Sequence, residues 1–129
     1  MLTREDAESF LLRMELDYEQ VEEGMWVVGT SDDEARIVIH YSPPVLVFRL
    51  KVLDVPADER SCATLFRRLL QLNASELVHG AYGIEEDSVI LSDTLELENL
   101  DFNEFQATVD SFQMALASHL EAIAPFRTC

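Results

Sequence analysis

Residues 25–53 read MWVVGTSDDEARIVIHYSPPVLVFRLKVL, and this stretch decides the fold. It contains three runs rich in β-branched and aromatic residues, at positions 25–29, 36–41 and 45–53, separated by short polar or proline-containing turns. Such runs are typical of β-strands. Strands joined by short turns pair antiparallel, because parallel pairing needs a long crossover between them. The stretch therefore predicts an antiparallel meander of three strands.

The two faces of this predicted sheet differ in composition. Alternate residues project to the same side of a strand, and one side of the third run is wholly apolar, with Leu46, Phe48, Leu50 and Val52. We expect that side to face the core. The opposite side of the sheet mixes valines with basic residues: Val38, His40, Val45, Val47, Arg49 and Lys51. Such a mixture suits contact with a partner protein. It also suits an ordinary solvated face, where a few valines are normal.

Helices are predicted on either side of the meander. The first runs from about Thr3 to Glu15, with Thr3 and Asp6 as a capping box, and residues 16–21 then suggest a short extended stretch. A second helix should follow Pro56 and end at Asn73, which tolerates the left-handed conformation of a C-terminal cap. Its predicted apolar stripe consists of Cys62, Leu65, Phe66, Leu69 and Leu70.

The last third of the chain predicts a hairpin and a long helix. The hairpin covers residues 80–97 and turns at residues 85–87, and Gly80 and Gly83 indicate a bulge or a close backbone approach within it. The helix begins near Asp101 and ends at Pro125, and its apolar stripe is Phe105, Val109, Phe112, Leu116, Leu120 and Ile123. The predicted order is α-β-β-β-α-β-β-α, an α+β fold forming one domain of residues 1–129.

The composition limits the classes of partner. The chain has 129 residues, 48% of them hydrophobic, and a net charge of −16. Nucleic acids and anionic membranes are bound through basic surfaces, so neither is an expected partner. No apolar run approaches the ~20 residues that cross a bilayer, and the early acids Glu5, Asp6 and Glu8 argue against a targeting peptide. We therefore expect a cytoplasmic protein.

The charge is segregated along the chain. Residues 36–68 contain three acidic and six basic residues, a net charge of +3, whereas residues 1–35 carry −9 and residues 69–129 carry −10. These basic residues are Arg36, Arg49, Lys51, Arg60, Arg67 and Arg68. They either neutralise the acidic helices at both ends of the chain or form a local contact surface, and the sequence leaves both readings open.

Residues that could carry chemistry do not form a recognisable motif. The three histidines (His40, His79 and His119) lie outside HxH and HExxH patterns, and Cys62 and Cys129 lack metal-ligand spacing. The acidic turns, such as residues 31–34, do not follow the spaced pattern of a calcium loop. Cys62 is placed like a core residue and Cys129 is the last residue. We expect no catalytic residue, no metal site and no cofactor.

Two segments of the chain resemble a known family. They are LLQLNASEL at residues 69–77, leading into GAYG at residues 80–83, and the region from Val89 to Asp101 that leads into the last helix. These segments resemble the YbjN family, which is similar in fold to the type III secretion chaperones of the CesT/Tir type. The resemblance covers nearly the whole chain.

The resemblance implies a twisted antiparallel sheet with the helices packed on one face. It also implies a protein that binds other proteins, and a homodimer. Two functions follow: a regulatory YbjN-like protein with a signalling partner, or a chaperone that holds an extended segment of a client. A small-molecule sensor is a third candidate, and it would require an enclosed pocket with convergent polar groups. The family's motifs carry no functional residue to transfer to this chain.

Overall fold

The computed structural model describes residues 1–30 and 35–126, without the side chain of Leu120. The predicted acidic turn at residues 31–34, the terminal Cys129 and the predicted core position of the Leu120 side chain lie outside that part. The described chain contains α1 (Arg4–Arg13), β1 (Tyr18–Glu22), β2 (Met25–Gly29), β3 (Arg36–Ser42), β4 (Val45–Asp54), α2 (Glu59–Ser75), β5 (Ala81–Glu85), β6 (Ser88–Glu96) and α3 (Phe102–Ile123), followed by a 3₁₀ turn (Ala124–Phe126).

The α+β class and the antiparallel sheet are confirmed. The strands form one six-stranded sheet in the order β1-β2-β3-β4-β6-β5, and each neighbouring pair is antiparallel. The meander of β2, β3 and β4 forms as predicted. The sheet has one strand more than the predicted order, because the short extended stretch after α1 pairs with β2 as strand β1. Strands β1 and β5 are the two edges.

The helices pack on a single face of the sheet. The face that holds Phe48 also holds Trp26 and Ile39, and all three side chains are buried. The helices contribute buried side chains to the same core: Ala7 and Leu11 from α1, Leu65, Leu69 and Leu72 from α2, and Phe105, Val109, Phe112, Leu116 and Ile123 from α3. The prediction of an apolar core face is therefore confirmed.

Aromatic rings connect the centre of the sheet to the last helix. The ring of Phe48 lies 5.6 Å from that of Phe105 and 6.2 Å from that of Phe112, measured between centroids, and both pairs are edge-to-face. Such pairs add about 0.5–1.5 kcal/mol to the free energy of area burial. Gly80, with a φ of +86°, approaches Phe112 so closely that a Cβ there would lie 2.9 Å from its ring. The sequence left a bulge or a close backbone approach open for Gly80, and the structure shows a close approach.

Several predicted helix ends are confirmed and one is wrong. Thr3 and Asp6 form the capping box of α1, and Asp101 accepts a hydrogen bond from the Glu104 backbone NH at the start of α3. Asn73 does not end α2, which continues to Ser75. Instead its side-chain amide pairs with Tyr82, accepting from the Tyr82 NH at 2.8 Å and donating to the Tyr82 carbonyl at 3.2 Å. Asn73 therefore fastens α2 to the edge strand β5.

The predicted stripe of α2 is only partly correct. Leu65 and Leu69 are buried, but Leu70 is 67% exposed. Adjacent helical residues point about 100° apart, and α2 is rotated so that Leu69 faces the sheet and Leu70 faces solvent. Cys62 and Phe66 are half-buried, and the Cys62 thiol contacts the Pro56 carbonyl oxygen at 3.0 Å.

Replacement of Phe112 by alanine tests the aromatic link. Phe112 is fully buried and contacts both Phe48 and the Gly80 turn. Phe112→Ala should lower the free energy of unfolding by about 3–5 kcal/mol, because it removes apolar contacts and leaves a cavity. Urea denaturation measures the loss. Met114→Ala on the same helix is the control: Met114 is 69% exposed and its change should stay within about 0.5 kcal/mol. A loss below ~1 kcal/mol for Phe112→Ala would contradict this assignment.

Candidate functional site

One face of the sheet is not covered by any described helix. We call it the outer sheet face, and over β2, β3 and β4 it carries Met25, Val27, Arg36, Val38, His40, Val45, Val47, Arg49 and Lys51. The valines of this face are half-buried by their neighbours, while Arg36, His40, Arg49 and Lys51 are exposed. The six residues predicted as a contact surface all lie on this face.

The strand register brings four of those six residues together. Val38 pairs with Arg49, and His40 pairs with Val47, so the four form a block across β3 and β4. Met25 of β2 lies opposite His40 and extends this block. The five side chains line a surface depression of about 400 Å³.

The other two predicted residues lie at either end of β4. Val45 pairs with Ser42 beside the prolines, and Lys51 pairs with Ile90 of β6. Both lie outside the residues that line the depression. Sequence periodicity placed all six on one face, but only the register shows which of them meet.

The basic groups of the outer sheet face form exposed ion pairs. Arg49 pairs with Glu85 of β5, and the Lys51 ammonium lies 2.8 Å from an Asp54 carboxylate oxygen. Exposed pairs of this kind contribute about 0–1 kcal/mol each, because water and salt screen them. A carboxylate from another molecule could therefore replace Glu85 or Asp54 at small cost.

A second apolar surface lies between α2 and the edge strand β5. We call it the α2–β5 groove, and it is a depression of about 230 Å³ lined by Phe66, Leu69, Leu70, Asn73, Tyr82, Gly83 and Ile84. Leu70 and Ile84 are 67% and 51% exposed. Sequence reasoning missed this groove because Leu70 was assigned to the core. Only the rotation of α2 against the sheet, which the sequence pattern does not give, shows that Leu70 is exposed.

The three histidines lie in three separate places. His40 is exposed on the outer sheet face, His79 is half-buried after α2, and His119 of α3 is 5% exposed. The Tyr82 hydroxyl lies 2.6 Å from Nδ1 of His119. Burial raises the pKa of Tyr82 to about 12, so its hydroxyl stays protonated and forms a hydrogen bond with Nδ1, in a direction set by the histidine tautomer. The pair links β5 to α3.

The charge state of His119 follows from its surroundings. Burial lowers the pKa of His119. Two nearby charges have smaller effects: the Glu76 carboxylate raises this pKa and the Arg68 guanidinium lowers it. His119 is therefore neutral near pH 7. Over residues 1–30 and 35–126 no three His, Cys, Asp or Glu side chains meet as a metal site would require. In the same part of the chain, no helix is long and apolar enough to cross a membrane.

A comparison with family models decides the affiliation of the chain. The model described as CesT_Tir_1 matches residues 2–128. The chain belongs to the CesT_Tir_1 family. This finding and the solved structures described next confirm the resemblance in fold to YbjN and to type III secretion chaperones.

Solved structures show the same fold at low sequence identity. One is the type III secretion chaperone SycH of Yersinia pestis in complex with a fragment of YscM2, with a TM-score of 0.61 at 15% identity, covering 90% of this chain and 98% of that one. A chain of the ExoU–SpcU complex of Pseudomonas aeruginosa gives 0.66 at 13% identity, covering 85% and 91%. YbjN of E. coli gives 0.59 at 12% identity, covering 90% and 92%. No curated protein sequence matches the chain.

The buried His119 is expected to make the stability of this CesT_Tir_1 protein depend on pH. Its pKa in the folded chain lies below the ordinary value of 6.5, so the unfolded chain binds the proton more readily. Neutral His119 should make its full contribution to the free energy of unfolding above pH ~6.5. This contribution should decline as the pH falls from ~6.5 towards the lowered pKa of the folded chain. Urea unfolding at pH ~5.5 and ~7.5 measures the slope.

Two histidine variants separate this effect from the titration of the carboxylates. His119→Gln should flatten the dependence on pH relative to the parent chain, because the buried titrating group is gone. His40→Gln removes an exposed histidine of the outer sheet face and should keep the parent's dependence. An undiminished slope in His119→Gln would show that His119 does not cause it.

Proposed function

We propose that this chain is a non-enzymatic protein-binding module of one domain, acting in the cytoplasm as a regulatory YbjN-like protein. The observation that carries the proposal is the outer sheet face, where apolar and basic side chains of β2, β3 and β4 lie uncovered by any described helix. Sheet faces of a small domain usually bury their apolar side chains against another layer. A partner protein would provide that layer, with Val38 and Val47 as apolar contacts and His40, Arg49 and Lys51 as polar ones.

The second candidate is a chaperone that holds an extended segment of a client. Membership of the CesT_Tir_1 family supports it, as does the similarity to SycH, which was solved with a fragment of another protein. Among residues 1–30 and 35–126, edge strand β1 has one side without a strand neighbour, and such an edge can add an extended segment. The corresponding side of β5 is already bonded to the Asn73 side chain at Tyr82. A small-molecule sensor has less support, since the depressions described above are surface features lined mainly by apolar side chains.

We further propose that the protein is a homodimer, with a second copy in the α2–β5 groove. The whole chain has a net charge of −16, so two copies repel each other over most of their surfaces. The residues that line the groove are all uncharged, and two of them, Leu70 and Ile84, are large exposed hydrophobic residues. A two-fold contact uses the same patch on both copies, which favours a patch that is neutral and apolar.

Photo-crosslinking tests the outer sheet face. A photoreactive amino acid at Val38 or Val47 should give discrete adducts with a partner protein in the native cell, because both side chains line the depression. The same amino acid at Ala117, an exposed position of α3, is the control and should give none. Equal adducts from positions 38 and 117, or none from 38 and 47, would reject this surface.

The identity of the crosslinked protein separates the two functions. A secretion chaperone's gene usually lies beside the gene of its client, so an adduct with the product of a neighbouring gene supports the chaperone. An adduct with a signalling component supports the regulator.

Light scattering tests the homodimer. The parent chain should have a mass near twice 14.7 kDa. Leu70→Glu and Ile84→Glu place a carboxylate in each copy's contact, where like charges repel, and should shift the mass to that of a monomer. Val78→Glu is the matched control, since Val78 is an 84% exposed apolar residue outside the groove, and it should stay dimeric. A monomeric parent, or an unchanged mass in both groove variants, would reject this contact.

A further inference from the structure

The solvent side of α2 carries three arginines. Arg60, Arg67 and Arg68 are exposed, and we call them the arginine ridge. Arg60 and Arg67 are seven residues apart, so they lie on the same side of the helix, about two turns or ~10 Å apart along its axis. Within Glu59–Ser75 the only acidic residue is Glu59 at the first position. The ridge is thus a basic strip on the surface of an acidic protein.

The guanidinium groups of the arginine ridge form no ion pair with any residue among 1–30 and 35–126. Four other basic side chains in that part of the chain, including Arg4 and Arg13, do have partners. Arg4 pairs with Glu23, and the Arg13 guanidinium lies 4.0 Å from the ring centroid of Phe102. The chain has 25 acidic residues, so the free ridge does not reflect a shortage of carboxylates.

This observation bears on the two readings of the basic middle third. Although the partners Glu85 and Asp54 lie on β5 and β4 and not in an acidic helix, Arg49 and Lys51 of the outer sheet face do pair with carboxylates of the same chain. The arginine ridge does not, which favours a contact surface there. An arginine fork matches the geometry of a carboxylate and can donate two parallel hydrogen bonds to it.

We infer that the arginine ridge docks an acidic segment of the partner protein. The inference rests on the proposed protein-binding function and names the chemistry of the partner. Two acidic side chains two to four residues apart in an extended segment would be about 7–13 Å apart, which spans the distance from Arg60 to Arg67. Thr64 and Gln71 lie on the same side of α2 and are exposed, so they add neutral hydrogen-bonding groups between and beyond the arginines.

An acidic polypeptide fits the ridge better than a nucleic acid. A nucleic acid carries a regular row of phosphates, and its affinity grows with the number of phosphates that cations neutralise. Three arginines on a chain of net charge −16 provide few such contacts and repel the rest of the polyanion. A short acidic segment needs only the local charge of the ridge, which would steer it and fix its register.

Peptide binding tests the ridge directly. The probe is a fluorescent synthetic peptide of repeated Glu-Ser-Leu-Glu units, with two matched peptides in which every Glu is Gln or Lys. Fluorescence anisotropy should show that the Glu peptide binds and that the Gln and Lys peptides do not. Added salt should weaken the binding of the Glu peptide. Arg67→Glu should weaken binding about tenfold or more, since it removes a charge-assisted contact and adds a repulsive one. Equal binding of the Glu and Gln peptides, or no binding of the Glu peptide, would overturn the inference.

Arg36→Glu is the matched control. It makes the same change of charge on the outer sheet face, which lies on the opposite side of the sheet from α2, and should leave peptide binding within about twofold. Equal losses in both variants would overturn the inference, because they would show an effect of net charge. A single-stranded DNA probe that binds more tightly than the Glu peptide would also overturn it. Crosslinking at Val38 tests the outer sheet face separately, so failure of either experiment leaves the other surface intact.

Discussion

The fold depends on strand β4 and on the packing of its central residue, Phe48. Strand β4 pairs with β3, which precedes it, and with β6, which follows after α2 and β5. It therefore joins the N-terminal meander and the C-terminal hairpin into one sheet. Phe48 is buried between the rings of Phe105 and Phe112, which holds α3 against the centre of that sheet. Since α3 covers the middle of one face, the opposite face is left for solvent or for a partner.

Much of this architecture was predictable because periodicity encodes it. Alternation by two residues in β3 and β4 assigned the core face, and the spacing of Phe105, Val109 and Phe112 assigned the buried side of α3. What periodicity cannot supply is the contact between distant segments. The role of Asn73 depends on Tyr82 of β5, and the exposure of Leu70 depends on how α2 is rotated against the sheet. The bulge near Lys51 buries both Val52 and Leu53, which breaks the alternation that a sequence pattern assumes.

The same distinction holds for the candidate surfaces. The residues of the outer sheet face could be listed from the sequence, because a strand has only two faces. The meeting of Val38, His40, Val47 and Arg49 required the register of β3 against β4. The α2–β5 groove could not be derived, since it depends on β5 pairing with β6 at the sheet edge and on α2 lying beside the other side of β5.

The fold divides the basic middle third into two surfaces. Residues 36–68 are contiguous in sequence, yet β3 and β4 present their basic groups on the outer sheet face, whereas α2 lies against the other face of the sheet and presents the arginine ridge to solvent. A compact partner domain can cover one of these surfaces. A segment that contacts both must pass around an edge of the sheet, which requires an extended chain. If one partner uses both surfaces, geometry favours the client-holding function over a regulator that docks as a folded domain.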